Sequence, residues 1–494
     1  MQELRTDLAV VAAGPAGLAA AVAASEAGVK VCVFEKAAVP GGAARMGMGP
    51  FGVESRIQKR SMVGLKKEDV FRRFMDYTQW KADAALVRNY FWKSGSTIDW
   101  LEDMGVPFWG VGRYFPEAED TWHQVRHPNS ELPIPGAGAV MADVMMARAK
   151  ELGAQFYMKT PVVRLLRDDS GVCGLEARDE QGELIRVKAG AVVVATGGFG
   201  DNPEMIQEEC GFTYDEDIFN NRVPGVTGDG LRMAWEVGAA KSETTMELIL
   251  HSGIPRRFYK GSALFRQPGA LVVGRRGQRL MNEELLQNTA VSANIIKAQP
   301  NKRAFAILTD EVVAYYKQHG LDFPHFSPGP AGELDTFEEG FQKAREKYPD
   351  CAFIAGSLEE LAEQMGIDPH RLKQTVEVYN QSCADHFDDY MCKERRYLHP
   401  ITGKVFYGER VALGAYGSLG GIAVDADLEV LDDSDEPIPG FYGAGSDVCN
   451  IYAGTYMFYL PGNTMGFALN SGRMAGEHAA QFLKESGRLC SQED

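Results

Sequence analysis

Glycines and one glutamate near the start of the chain are spaced to hold a phosphate-bearing ligand. Residues 12–17 read Ala12-Ala13-Gly14-Pro15-Ala16-Gly17, and Glu35 follows where a second strand ends. In a dinucleotide fingerprint one glycine makes the tight turn, one lets the backbone approach a pyrophosphate, and one lets helix lie on strand. Ala12 stands in the first of these places. A helix opening at Pro15 would turn unpaired N–H groups and its positive dipole end toward an anion. Glu35 is placed to bind ribose hydroxyls.

Further stretches bring backbone close to a ligand: Pro40-Gly41-Gly42-Ala43-Ala44-Arg45, Thr196-Gly197-Gly198 and Thr227-Gly228-Asp229-Gly230. Gly445-Ser446-Asp447 can meet a ribityl chain, and Pro461-Gly462-Asn463-Thr464 opens a helix over Met465–Gly476. Taken singly, each glycine turn reads more readily as a plain turn, and for Asn463 and Thr464 an ordinary helix cap is compatible with a binding role. Together with Glu35 they imply an extended two-headed dinucleotide, FAD rather than NAD. No second full Gly-x-Gly-x-x-Gly unit is present, so a built-in NAD(P)H domain is not expected. A helix start aimed at the pyrimidine edge of a flavin would stabilise the negative charge of reduction.

The elements that must position these residues are legible as apolar runs. Leu8–Ala13, an Ala-rich helical stretch from Leu18 to Ala27 and the run Val31–Phe34 form a β–turn–α–β unit, the builder of parallel sheets. Ala191–Ala195 and Phe441–Ala444 add strands, Ala139–Leu152 a helix, and the stretches around Val162–Leu166 and Gly174–Val187 a meander. From about Glu247 to Gly417 the helical patterns lengthen and glycine turns thin out. The expected fold is α/β: a Rossmann-like FAD-binding domain over 1–245, completed by 418–494, with an inserted α+β capping domain over 246–417.

Composition narrows the partners. The 494 residues carry 51 Lys plus Arg against 68 Asp plus Glu, a formal charge of −17, which disfavours nucleic acid and anionic membranes. The 8 cysteines are scattered without a Cys-x-x-Cys pair, so no metal or iron–sulfur centre is expected. No apolar stretch approaches a membrane span and no signal-peptide pattern opens the chain, which points to the cytoplasm.

The sequence resembles the flavoproteins of the soluble fumarate reductase and 3-ketosteroid Δ1-dehydrogenase family. The stretches that carry the likeness are GPAGLAAA, FEK, GGAA, VVVATGGFG, GVTGDGLRMA, GQRLMNEE, LGGIAVD, GFYGAGS and LPGNTMGFALNSGRMAGEHAA, in family order. The resemblance implies a glutathione-reductase-like FAD domain, a capping domain, and substrate held between them. It also implies exchange of a hydride and a proton across a C–C bond. No His follows the first glycine motif at the position of covalent attachment, so FAD is expected to be non-covalent. The cofactor set becomes Gly14, Ala16, Gly17, Glu35, Lys36, Gly41, Gly42, Ala43, Ala44, Val162, Ala195, Thr196, Gly197, Asp229, Gly445, Asp447, Asn463 and Thr464. Electrons are expected from an external donor: reduced flavin, a flavodoxin- or ferredoxin-like protein, or NAD(P)H.

Departures from the fumarate reductases carry the rest. Gln287 stands at the arginine acid, Gly417 at one carboxylate-binding His, Tyr459 at a carboxylate-binding Arg, and Ala263 at the relay carboxylate, while Arg266 keeps the relay arginine. A dianion without those cations would lose charge-assisted hydrogen bonds, each worth roughly 1.5–3 kcal/mol. Tyr459-Leu-Pro-Gly-Asn463 instead resembles the ketosteroid branch, where a Tyr hydroxyl and a backbone N–H hold a ketone oxygen. Tyr114, in Arg113-Tyr-Phe-Pro-Glu117, matches that branch's tyrosine loop. Tyr459, Tyr114 and Arg266 are the expected catalytic residues; Gln287, His251, Tyr456 and Asn463 are the expected substrate contacts. The expected substrate is a neutral or bulky cyclic enone, steroid-like or aromatic-derived, with reduction favoured over desaturation. A dicarboxylate reductase and a non-catalytic electron-transfer subunit stay open as alternatives.

Overall fold

A computed structural model describes residues 2–220, 223–254, 261–323 and 334–490. The fold is mixed α/β, and the chain divides into two compact units. The first comprises Met1–Gly211, Arg222–Glu247 and Tyr416–Asp494; the second comprises Phe212–Asn221 and Leu248–Ala415. The sequence reading placed 212–221 with the first domain. In the structure Ile218–Asn220 pairs in parallel with Leu413–Ala415, and that ladder fixes the short segment in the second unit.

The first unit is built on an eight-stranded sheet. Its strand β1 (Gln2–Val11) lies parallel to β2 (Val31–Phe34) on one side and to Leu184–Val194 on the other. Pro437–Gly443 adds in parallel beside Leu184–Val194, with Tyr442 opposite Val193, and Gln155–Tyr157 continues beyond β2. Strands covered on both faces must be apolar throughout. Leu8–Val11, Val31–Phe34 and Ala191–Val194 are buried accordingly. The hairpin Val162–Asp168/Gly171–Arg178 is antiparallel and joins the sheet through Leu184–Val194.

Helix α1 (Pro15–Glu26) is buried almost all round, hence its run of alanines. The C-terminal helix, Asn463–Glu485, lies against it at backbone distance. A Cβ on Gly472 would stand 2.1 Å from the Ala16 carbonyl oxygen, and one on Gly476 would stand 2.4 Å from that of Ala20.

The second unit centres on the long strand Phe406–Leu419, whose residues Phe406 to Val411 pair antiparallel with Ala304–Thr309 and whose residues Phe406 to Glu409 pair antiparallel with Ala352–Ala355. The helices Leu358–Met365 and Pro369–Asp385 close over its core, which includes Phe305, Ile307, Leu361, Leu372 and Tyr379. Beside them Arg279, Glu283, Asp388 and Lys393 form a buried charge cluster whose bonds fix the turn leading to Gln287. Among the described residues no helix is long and apolar enough to cross a membrane.

Candidate active site

The turn from β1 into α1 is set by one close approach and one left-handed residue. A Cβ on Gly17 would lie 2.0 Å from the Ala12 carbonyl oxygen, so only glycine lets α1 start there. Ala12 itself has φ 78°, a left-handed conformation that costs an L-residue roughly 1–2 kcal/mol. Gly14 differs from both: the nearest atom to a Cβ there is the Ala195 carbonyl oxygen at 3.9 Å. Space is therefore left in front of the free N–H groups of α1. Gly42, φ 46°, where a Cβ would lie 3.5 Å from the Gly14 Cα, opens the turn Gly42–Met46, in which Ala43 is exposed and Ala44 buried.

Glu35 is buried and holds two turns at once, accepting from Ala13 N and Ala37 N at 2.7 Å each. Its backbone carbonyl takes the Thr160 N–H, which leads to Val162 at the head of its strand. Lys36 pairs with Asp229 and donates to Thr227 Oγ1 at 3.1 Å. Ala195 is buried and continues the ladder to Val11.

Asp447 is fully buried, and its carboxylate accepts from the backbone of Thr196, Gly197 and Gly198 and from the Thr196 hydroxyl. Burial raises its carboxyl above the ordinary range while those donors pull the other way. It thus anchors the turn Thr196-Gly197-Gly198. Gly445, φ 73°, sits against Ala16 Cβ at 3.0 Å from its own missing Cβ position.

Asn463 opens the C-terminal helix, fully buried. Its Oδ1 accepts from the Tyr90 and Tyr452 hydroxyls at 3.0 Å each, but its Nδ2 has no partner. An amide N–H₂ buried without an acceptor is costly. It fits a bound group that brings one, as a flavin ring carbonyl does. Together with the open face at Gly14, this orphaned donor shows that the residues present fit FAD.

An aromatic wall flanks the same helix start. Tyr114 packs on Phe458 at 4.9 Å, Phe458 on Tyr456 at 5.0 Å, and Tyr456 on Tyr452 at 4.9 Å. Phe115 lies 5.5 Å from Tyr459, whose ring carries the Arg73 guanidinium at 4.9 Å from its centroid. Arg73 is in turn ion-paired with Glu119. Tyr114, Tyr456, Tyr459 and Asn463 thus share one neighbourhood in the first unit.

Arg266, His251 and Gln287 belong to the second unit. Arg266 donates to the Leu250 carbonyl at 3.2 Å. His251 stacks near Phe219 and contacts the Ser252 carbonyl through Nδ1. Burial, then Arg266, lowers its pKa to about 4, so it is neutral at pH 7. Gln287 ends the turn Glu283–Gln287.

Two carboxyls escaped the sequence reading. Glu247 in the first unit receives the Thr464 hydroxyl at 2.6 Å, and burial pushes it up to about 7. Glu409 in the second is pushed by burial to about 8, held back by Ser252 and Arg266, and its Oε2 is unpartnered. The available signal was a lone acid in an apolar run, as in Met246-Glu247-Leu248-Ile249-Leu250. Glu409 carries a pH prediction. Its pKa is near 4.5 unfolded and about 8 folded, so between these values only the unfolded chain gives up the proton, and stability falls as pH rises. Thermal unfolding of FAD-saturated protein from pH 5 to 8 should fall more steeply than in Glu409→Gln; parallel curves would show that Glu409 is not buried as an acid.

Comparison with known proteins agrees with this architecture. The profile of the family described as FAD binding domain matches residues 7–464. The vinyl phenol reductase of Lactiplantibacillus plantarum is 30% identical over 97% of either chain. The fumarate reductase (cytochrome) of Shewanella frigidimarina is 29% identical over 97% of this chain and 78% of its own. The solved structure of 3-ketosteroid-Δ4-(5α)-dehydrogenase from Rhodococcus jostii RHA1, with 4-androstene-3,17-dione, matches with a TM-score of 0.72 at 25% identity, covering 97% and 98% of the two chains. The protein uses FAD and is an oxidoreductase of carbon–carbon double bonds. It belongs to the FAD binding domain family, among the fumarate reductases and their relatives.

Proposed function

We propose that the protein reduces a C=C bond conjugated to an oxygen-bearing ring or a carbonyl, in a neutral aromatic or cyclic substrate. The observation that carries this reading is the aromatic wall of Tyr114, Phe458 and Tyr459 at the start of the C-terminal helix. Position 417 supports it: a Cβ there would meet nothing within 4 Å, so room replaces the imidazole that the dicarboxylate reductases use. The vinyl phenol reductase likeness supports an aromatic alkene, and the ketosteroid dehydrogenase likeness supports a fused-ring ketone.

FAD, once bound and reduced, would supply a hydride, two electrons with one proton, to one carbon of the double bond. The chain does the remaining work. Tyr459 donates its hydroxyl to the substrate oxygen, with its ring fixed by the Arg73 guanidinium. Asn463 is the first helical residue, and its N–H lies outside the intrahelical ladder and is available as a second donor. Such donors stabilise charge that develops on the oxygen as the double bond is reduced. Tyr114, or water beside it, protonates the neighbouring carbon. Arg266 is retained as a candidate for proton transfer, and His251, Gln287 and Tyr456 for substrate contact. Electrons come from a separate donor of the flavin, flavodoxin, ferredoxin or NAD(P)H class.

The test is anaerobic photoreduction of the FAD-loaded protein followed by mixing with a vinyl phenol, a cyclic enone or fumarate. Rapid flavin reoxidation is expected with the first two and not with fumarate. Reoxidation by fumarate alone would overturn the substrate class. Bleaching of oxidised protein by a saturated ketone would reverse the direction.

A further inference from the structure

A carboxyl buried without a cation is stable only if it can become neutral. Glu247 is such a group, 6% exposed at the end of the first unit's middle segment. The groups facing it among the described residues are the hydroxyls of Thr464 and Tyr456 and the thiol of Cys449. Tyr452 and Tyr90 stand behind them, both bonded to Asn463, and Tyr416 lies beyond Tyr456. Glu243, on the segment leading into Glu247, turns toward Gly454. Burial raises Cys449, Tyr90, Tyr452 and Tyr456 well above their ordinary values, so all four are neutral near pH 7. Within this cluster Glu247, near 7, is the group able to change its charge there.

Its hydroxyl partner ties it to the cofactor site. Thr464 and Asn463 are the first residues of the C-terminal helix, and the unpartnered Nδ2 of Asn463 marks that start as a place for a ligand acceptor. A Cβ on Gly47 would run into Met465 Cε, one residue on from Thr464, and a Cβ on Gly42, at the other end of the same turn, would lie 3.5 Å from Gly14 Cα. The phosphate-binding turn and the helix start are therefore joined by one short stretch of chain, a span suited to the two ends of one cofactor.

We infer that Glu247 is the protonation site coupled to FAD reduction, ionised beside oxidised FAD and neutral beside reduced FAD. Reduction by the external donor places two electrons and one proton on FAD and leaves one net negative charge there. The Glu247 carboxylate then takes a second proton from water. No bond to carbon forms or breaks at Glu247, and reoxidation returns that proton to water. The inference rests on FAD binding at this helix start and not on the choice of substrate, so it is tested with no substrate present.

The experiment is an equilibrium redox titration of FAD-loaded protein at pH 6 to 9. The slope of the midpoint potential gives the protons taken up per two electrons, each shifting the equilibrium tenfold per pH unit. Wild type should take up two protons just above pH 7 and one near pH 6, and Glu247→Gln should take up one throughout. The direction is diagnostic, since a second proton on FAD itself would be gained on the acid side. Reduced-minus-oxidised infrared spectra at pH 8 should show a protonated carboxyl appearing in wild type, shifted in Glu247→Asp and lost in Glu247→Gln. If Glu247→Gln fails to retain FAD, the wild-type and Glu247→Asp spectra decide. The inference is overturned by an unchanged slope in Glu247→Gln, or by no carboxyl gain on reduction of wild type.

Discussion

Tyr459→Phe is expected to keep its FAD and lower kcat roughly 100- to 1000-fold, the usual cost of removing one donor aimed at developing negative charge. The variant keeps the ring, so packing on Phe115 and the contact with the Arg73 guanidinium survive and only the hydroxyl is lost. KM should change much less than kcat, because a donor that strengthens its bond in the transition state contributes mostly there. Steady-state kinetics on the best alkene from the panel, with flavin absorbance as the loading control, measures it. An unchanged kcat would remove Tyr459 from the reaction and leave it as a wall residue.

The second large effect separates holding the fold from holding the cofactor. In Gly17→Ala the new methyl would stand 2.0 Å from the Ala12 carbonyl oxygen, and neither backbone can yield without moving β1 or α1. Little folded protein is expected. In Gly14→Ala the new methyl meets only the Ala195 oxygen, at 3.9 Å, and points into the space before the α1 N–H groups. That variant should fold with a normal circular dichroism spectrum and lose FAD affinity at least tenfold, since a methyl would occupy the path of the pyrophosphate. FAD titration of refolded apoprotein checks it. Normal FAD affinity in Gly14→Ala would place the phosphates elsewhere.

Much of the fold was legible because the physics was local. Strands buried on both faces must be apolar from end to end, so Leu8–Val11 and Val31–Phe34 announce themselves, and the turn after β1 needs glycine in sequence order. What could not be seen locally was partnership across the chain. Ala12 reads as a departure from the fingerprint, yet the backbone still adopts the glycine conformation there. Asp447 reads as a ligand contact, while its carboxylate is engaged by three backbone N–H groups about 250 residues earlier. Arg73 sits in an amphipathic helix, Lys67–Tyr77, and only the folded chain brings it over Tyr459. Glu247 and Glu409 were hidden because a strand's alternation says which face a residue takes and not whether that face meets water.

The contact of Gly472 and Gly476 with α1 bears on how the protein is made. Helix α1 is made well before Gly472 and Gly476, the surface it buries its backbone against. The strand Pro437–Gly443, which pairs with Leu184–Val194, likewise follows it by a long stretch of chain. Until then an apolar sheet edge and an alanine-rich helix stand uncovered, a state prone to wrong pairing.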